Sequence, residues 1–191
     1  KFSKNVFLGL GMSAALLVTQ GAFAQSDAKA KRAELRKMCD GALATLYKAK
    51  PEAKAEVAKA AGYGCFTSFG MSFFVGGAGG SGLVHSNANK KDTYMHMAQA
   101  SGGVDFGIKD YREVLVFKDK KTIDDFVNKG WEFGATASAT ATAGGKGGTA
   151  EEGQVGAGPI QVYPMTRNGL AAGMSASARK YWKDDELNAA K

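Results

Sequence analysis

The chain has 191 residues, a formal net charge of +7, and a composition that is 45% hydrophobic and 23% charged. That balance excludes an intrinsically disordered chain, and the length leaves room for one core-forming domain with small appendages, not for a second enzyme domain. Glycine is the anomaly, with 26 residues against 3 prolines, about twice its ordinary share.

Lys1 and Lys4 precede an apolar run from Val6 to Val18, which ends at Ala22-Phe23-Ala24 before Gln25. A positive start, a short apolar middle and an A-x-A site are the parts of a secretory signal peptide, and the run is too short for a comfortable membrane span. The expectation is therefore a signal peptide over 1–24 and a single secreted domain over 25–191, periplasmic in a bacterium. Within it lie a helical lead-in over 27–61, a β-rich body over 62–182 and a polar tail over 183–191. No cysteine directly follows the apolar run, so lipid modification is not indicated, and there is no twin arginine.

In the lead-in, Leu35, Met38, Cys39, Ala42, Leu43 and Leu46 recur at three- and four-residue steps and predict an amphipathic helix. Pro51 opens a second short helix through Ala53, Val57 and Ala60 that stops before Gly62. Residues 25–61 hold nine Lys or Arg against five Asp or Glu, so most of the basic excess sits here. The two cysteines, Cys39 on the helix and Cys65 in the following strand, are either a disulfide, as an oxidising compartment permits, or two small buried hydrophobes. Two cysteines without nearby histidines do not make a zinc site.

From Tyr63 the texture changes to short β-rich runs punctuated by glycine, predicting strands near 64–75, 82–86, 93–100, 103–108, 111–117, 131–143, 154–163 and 169–178. The period of two is clearest from Trp131 to Ala143, where Trp, Phe and Ala alternate with Glu, Gly, Ser and Thr. One helix interrupts the strands over Thr122 to Lys129, with Thr122 and Asp125 as a capping box and Gly130 as the stop. Glycine inside strands permits bulges, curvature and close backbone approach. The predicted fold class is α+β: a curved antiparallel, glycine-rich sheet or small barrel, preceded by two helices and containing one more.

The motifs that invite chemistry fail on context. Gly77-Ala-Gly-Gly-Ser-Gly82 has the spacing of a dinucleotide fingerprint but runs into Leu83-Val-His85 instead of a helix, and reads as a glycine-rich turn. The loop Gly144 to Thr149 lacks phosphate-loop spacing and reads as a hairpin loop. Met95 and Met97 flank His96, but on a strand the two thioethers point to one face and the imidazole to the other, so they do not converge on copper. No nucleophile, base and orienting group assemble around His85, and the Glu151-Glu152 and Asp184-Asp185-Glu186 runs read as solvated charge. A non-catalytic protein with no cofactor and no metal is expected.

Two basic features remain. Lys29, Lys31, Arg32, Arg36 and Lys37 accompany the apolar stripe of the leading helix, a pattern that suits an anionic membrane surface, although such a stripe ordinarily covers a core. Arg179, Lys180, Tyr181 and Trp182 place aromatics between cations, as at membrane interfaces or at a strand end.

Taken in order, several segments resemble the SYLF domain family, also named after the actin-binding domain of a yeast SH3 protein. They are Ala44 to Pro51, Ala60 to Phe66, Gly76 to Gly82, Gly102 to Gly107, Val114 to Phe117, Thr122 to Phe126, Gly130 to Gly134 and Gly169 to Ser175. The similarity runs over residues 40–182. It implies a lipid-binding module whose N-terminal helix meets phospholipid, a role that falls here on Lys29, Lys31, Arg32, Arg36 and Lys37. Anionic phospholipid is the expected partner, an envelope protein the alternative, and nucleic acid is not expected for want of a binding module.

Overall fold

The structure, a computed structural model, describes residues 15–68, 73–74, 77–100, 111–133, 155–166, 169–170 and 179–189. Helix α1 spans Ala15–Ala49 and α2 Ala53–Lys59. Strands β1 (Gly62–Thr67), β2 (Phe73–Phe74), β3 (Gly77–Ser86), β4 (Asp92–Ala100) and β5 (Arg112–Phe117) follow, then α3 (Lys120–Lys129). After it come β6 (Trp131–Phe133), β7 (Val155–Ala157), β8 (Ile160–Thr166), β9 (Gly169–Leu170), β10 (Arg179–Lys183) and a last helix α4 (Asp185–Ala189). The expected residues 1–14, 103–108, 134–143 and 171–178 lie outside the described residues, and Ala22 to Ala24 fall within α1.

All described pairings are antiparallel, in the order β6-β10-β4-β3-β1-β5-β8-β7, with β2 added to β3 and β9 to β8. The fold is α+β, and the sheet curls into a half-barrel. Its curvature can be measured from one ion pair. Strands β10 and β5 are four pairing steps apart, about 19 Å along a flat sheet at about 4.8 Å per strand. Yet Arg179 Nη1 lies 2.7 Å from Glu113 Oε2, so the two strands face each other across the concave side.

Strands β1, β3, β5 and β8 send alternate residues to two separate cores. On the convex side, Cys65, Leu83, Val114, Val116, Tyr163 and Met165 pack under α1, α2 and Leu187 of α4. On the concave side, Phe66, Val84, Met95, Met97, Leu115, Phe117, Ile160, Val162 and Tyr181 enclose Ile123 and Phe126 of α3. Because both faces are covered, β5 is buried at five consecutive positions, which erases the alternation a one-sided sheet would show.

Several expectations change. The glycine run 77–82 is the first half of β3, not a turn, because its neighbours come too close for a side chain. A Cβ at Gly80 would stand 2.5 Å from the Thr67 carbonyl oxygen, and one at Gly82 would overlap the Cys65 carbonyl and the Phe66 ring. The run 154–163 is a hairpin, not one strand, with Gly158 at φ +61° turning β7 into β8. The cap of α3 is Asp119, whose carboxylate accepts from the Thr122 N–H at 2.8 Å and from the Thr122 hydroxyl at 2.8 Å. Thr122, expected as that cap, lies inside the helix, and Asp125, expected as its capping-box partner, instead pairs with Lys121 and Lys129, while Gly130 ends the helix at φ +77°. The polar tail contains α4, begun by Asp184, whose Oδ1 accepts from the Leu187 N–H at 2.8 Å. Met95 and Met97 are a buried pair with His96 on the opposite face, as the strand period requires.

Candidate functional site

Cys39 and Cys65 form a disulfide with a Cα–Cα distance of 5.1 Å. It fastens α1 to β1, the middle strand of the convex core, and fixes which sides of α1 face outward. Leu35, Cys39, Ala42, Leu43 and Leu46 are buried, so the stripe the sequence offers to a membrane is covered by the protein's own sheet. What α1 presents is charge.

The five cations divide. At about 100° per residue, Lys29, Arg32 and Arg36 fall on one flank of α1, the flank turned toward β4. Lys31 falls on the other, where it pairs with Glu34 at 3.6 Å, and Lys37 points away from the sheet. Lys29, Lys31 and Lys37 are exposed, and Lys29 and Lys37 have no ion pair among the described residues. Arg32 is half-buried, its Nε donating to the Ala28 carbonyl at 3.4 Å.

Arg36 is the best held. Its Nε donates to Asp92 Oδ2 at 3.1 Å and its Nη1 to the Tyr63 hydroxyl at 3.2 Å, and its Nη2 pairs with Asp92 Oδ1. Burial works against the charge of Arg36, but the bonds to Asp92 and Tyr63 outweigh it and hold the guanidinium pKa above its ordinary value. Asp92 Oδ1 is also 2.7 Å from His85 Nδ1, because His85 and Asp92 are cross-strand partners at the end of the β3–β4 hairpin. The Tyr63 and His85 rings lie 5.0 Å apart. The only trace of this cluster in the sequence is a His and an Asp at the two ends of one hairpin.

The C-terminal basic-aromatic run splits by strand parity. Lys180 and Trp182 face the convex side, the side of α1, and Trp182 is the one large hydrophobic residue exposed among the described residues, at 40%. Its ring lies 5.4 Å from that of His96, whose Nε2 is 3.3 Å from Asp184 Oδ2. Lys180 pairs with Glu132 at 2.8 Å.

Arg179 and Tyr181 do not join that surface, which corrects the four-residue site expected from sequence. Both point into the concave core, where fully buried Glu113 accepts from Arg179 Nη1 at 2.7 Å, from the Tyr111 hydroxyl at 2.6 Å and from the Tyr181 hydroxyl. Burial, reinforced by the Glu113 charge, drives both phenol pKa values well above the ordinary range. A carboxylate whose donors are all supplied by the protein is a clasp across the half-barrel. No group of three or more His, Cys, Asp or Glu among the described residues could hold a metal ion.

Residues 98–191 match a family model described as "Ysc84: Las17-binding protein actin regulator". Over these residues the chain is similar to the Ysc84, or SYLF, family. Beta cell expansion factor A of Aeromonas veronii is 34% identical over 160 residues, which cover 84% of this chain and 60% of that protein. The chain thus spans about three fifths of the length of its curated relative. The SYLF match covers α3, β10 and the Glu113 clasp, while the α1 cations lie outside it and inside the described helix.

Proposed function

We propose that this protein is a secreted, periplasmic, non-catalytic module that binds anionic phospholipid surfaces with the convex side of its sheet. The observation that carries the reading is that the α1 cations and exposed Trp182 with Lys180 lie on the same side, next to a core already sealed by α1. Each basic residue near an anionic surface contributes about 1 kcal/mol, and an exposed Trp beside a cation suits the headgroup region. The contact is superficial, because the apolar stripe of α1 is occupied and the disulfide tethers the helix.

Co-sedimentation with anionic and neutral vesicles at low and high salt tests this, beside a variant with Lys29, Lys31 and Lys37 changed to Gln. Binding to anionic vesicles only, weakened by salt and by the triple variant, is the expected outcome; no binding to either vesicle overturns the reading. The family description, which names protein partners, favours a second reading in which the same convex surface docks on an envelope protein. Specific capture of one partner, unaffected by added lipid, would establish it instead.

A further inference from the structure

We propose that Arg36, His85 and Tyr63 form a phosphate-ester site at the seam between α1 and the β3–β4 hairpin, charge-balanced by Asp92 when His85 is neutral and left one positive charge in excess when His85 is protonated. The inference rests on the lipid-surface reading and adds to it a headgroup contact and a pH dependence.

The geometry is that of two cations competing for one carboxylate. Asp92 Oδ1 faces both His85 Nδ1, at 2.7 Å, and Arg36 Nη2, and these two nitrogens are 3.4 Å apart. With a neutral imidazole, the Nδ1–H donates to Asp92 and Arg36 takes the rest of the carboxylate, so the charges balance. A proton on His85 places a second positive charge against the guanidinium, and Asp92 alone neutralises only one of them.

The surroundings do not supply the missing negative charge. From α1, Arg32 and Lys29 extend the same flank, and Asp40 reaches Arg36 only at 3.8 Å and is itself exposed. From β4, Tyr94 stands within range of Asp92, Arg36 and Arg32; burial and Asp92 raise its pKa, and the two arginines partly oppose them. From β1, Tyr63 offers its hydroxyl, and Tyr47 of α1 stands near it. A phosphate would supply that charge. Guanidinium, imidazolium and phenol are all donors, and a phosphate accepts charge-assisted bonds from several at once. The site is reachable, with the Arg36 side chain 28% and the His85 side chain 16% exposed.

The test uses the intact protein with phosphatidylglycerol vesicles and with inorganic phosphate. Vesicle binding should rise about fivefold between pH 7.5 and 5.5, the range in which imidazoles ordinarily charge and the worth of about one added charge at the surface. His85→Gln should abolish the rise. Asp92→Asn should lift binding at pH 7.5 to the level the unaltered protein reaches at pH 5.5. In the unaltered protein, whose folding is not in question, NMR should show the titration midpoint of His85 moving up on adding vesicles and on adding inorganic phosphate. Binding that does not change with pH, or an unmoved His85 midpoint, overturns the site but leaves surface binding standing. Absence of binding at every pH overturns the lipid reading itself. A midpoint moved by inorganic phosphate but not by vesicles overturns the lipid headgroup as the source.

Discussion

The two sides of the sheet solve the same problem in opposite ways. The concave side carries a set of charged and hydroxyl groups, Glu113, Arg179, Tyr111 and Tyr181, and pairs them with one another through the Glu113 carboxylate, leaving Arg179 Nε buried without a partner, so they end as structure. The convex side is fastened by an apolar stripe and one disulfide and leaves Lys29, Lys31, Lys37 and a tryptophan exposed. The difference teaches that basic residues adjacent in sequence, such as Arg179 and Lys180, can belong to different functions. Strand parity alone sends one to a buried carboxylate and the other to the surface.

The comparison is broken hardest at Glu113. Glu113→Ala leaves the Arg179 guanidinium buried without its carboxylate and should cost about 3–5 kcal/mol, read as a fall in the urea midpoint with vesicle binding per folded molecule unchanged. On the convex side, Cys39→Ala with Cys65→Ala releases a loop with a sequence separation of 26, worth about 3.5 kcal/mol in the chain-entropy model. This loss, unlike the first, should also alter vesicle binding, since it frees α1. A smaller effect is expected at Gly82→Ala. Its Cβ would overlap the Cys65 carbonyl and the Phe66 ring, and the strain should lower stability by about 1–3 kcal/mol.

Alkaline pH separates the sides in another way. Tyr111 and Tyr181 have pKa values raised by burial above the unfolded value, so the stability they contribute is fully present below about pH 10 and is lost as pH rises beyond it. Tyrosinate absorbance should therefore show these two phenols ionising only with unfolding, and Tyr181→Phe should weaken that coupling. The smallest effect is at the exposed Lys31–Glu34 pair, where a double-mutant cycle should give less than about 1 kcal/mol.

Much of the fold was legible because it rests on local signals. The Leu35 to Leu46 spacing, Pro51, and Gly130 each mark a helix or its end by short-range chemistry. The glycine run was misread because close packing and turning both demand glycine, and only the positions of Thr67 and Cys65 on the neighbouring strand decide between them. The hairpin at Gly158 was lost inside a β-rich run. Arg179 and Tyr181 are misassigned from sequence because their partner, Glu113, is 66 and 68 residues away, respectively. The His85–Asp92–Arg36 cluster likewise depends on register and on the rotation of α1, which the disulfide sets and which no local pattern announces.

The most direct test of the outward-facing convex side is hydrogen exchange on the protein with and without anionic vesicles. Protection gained over residues 25–41 and 179–184, with α3 unchanged, is the result this account requires. Protection gained over α3 with none over α1 would contradict it.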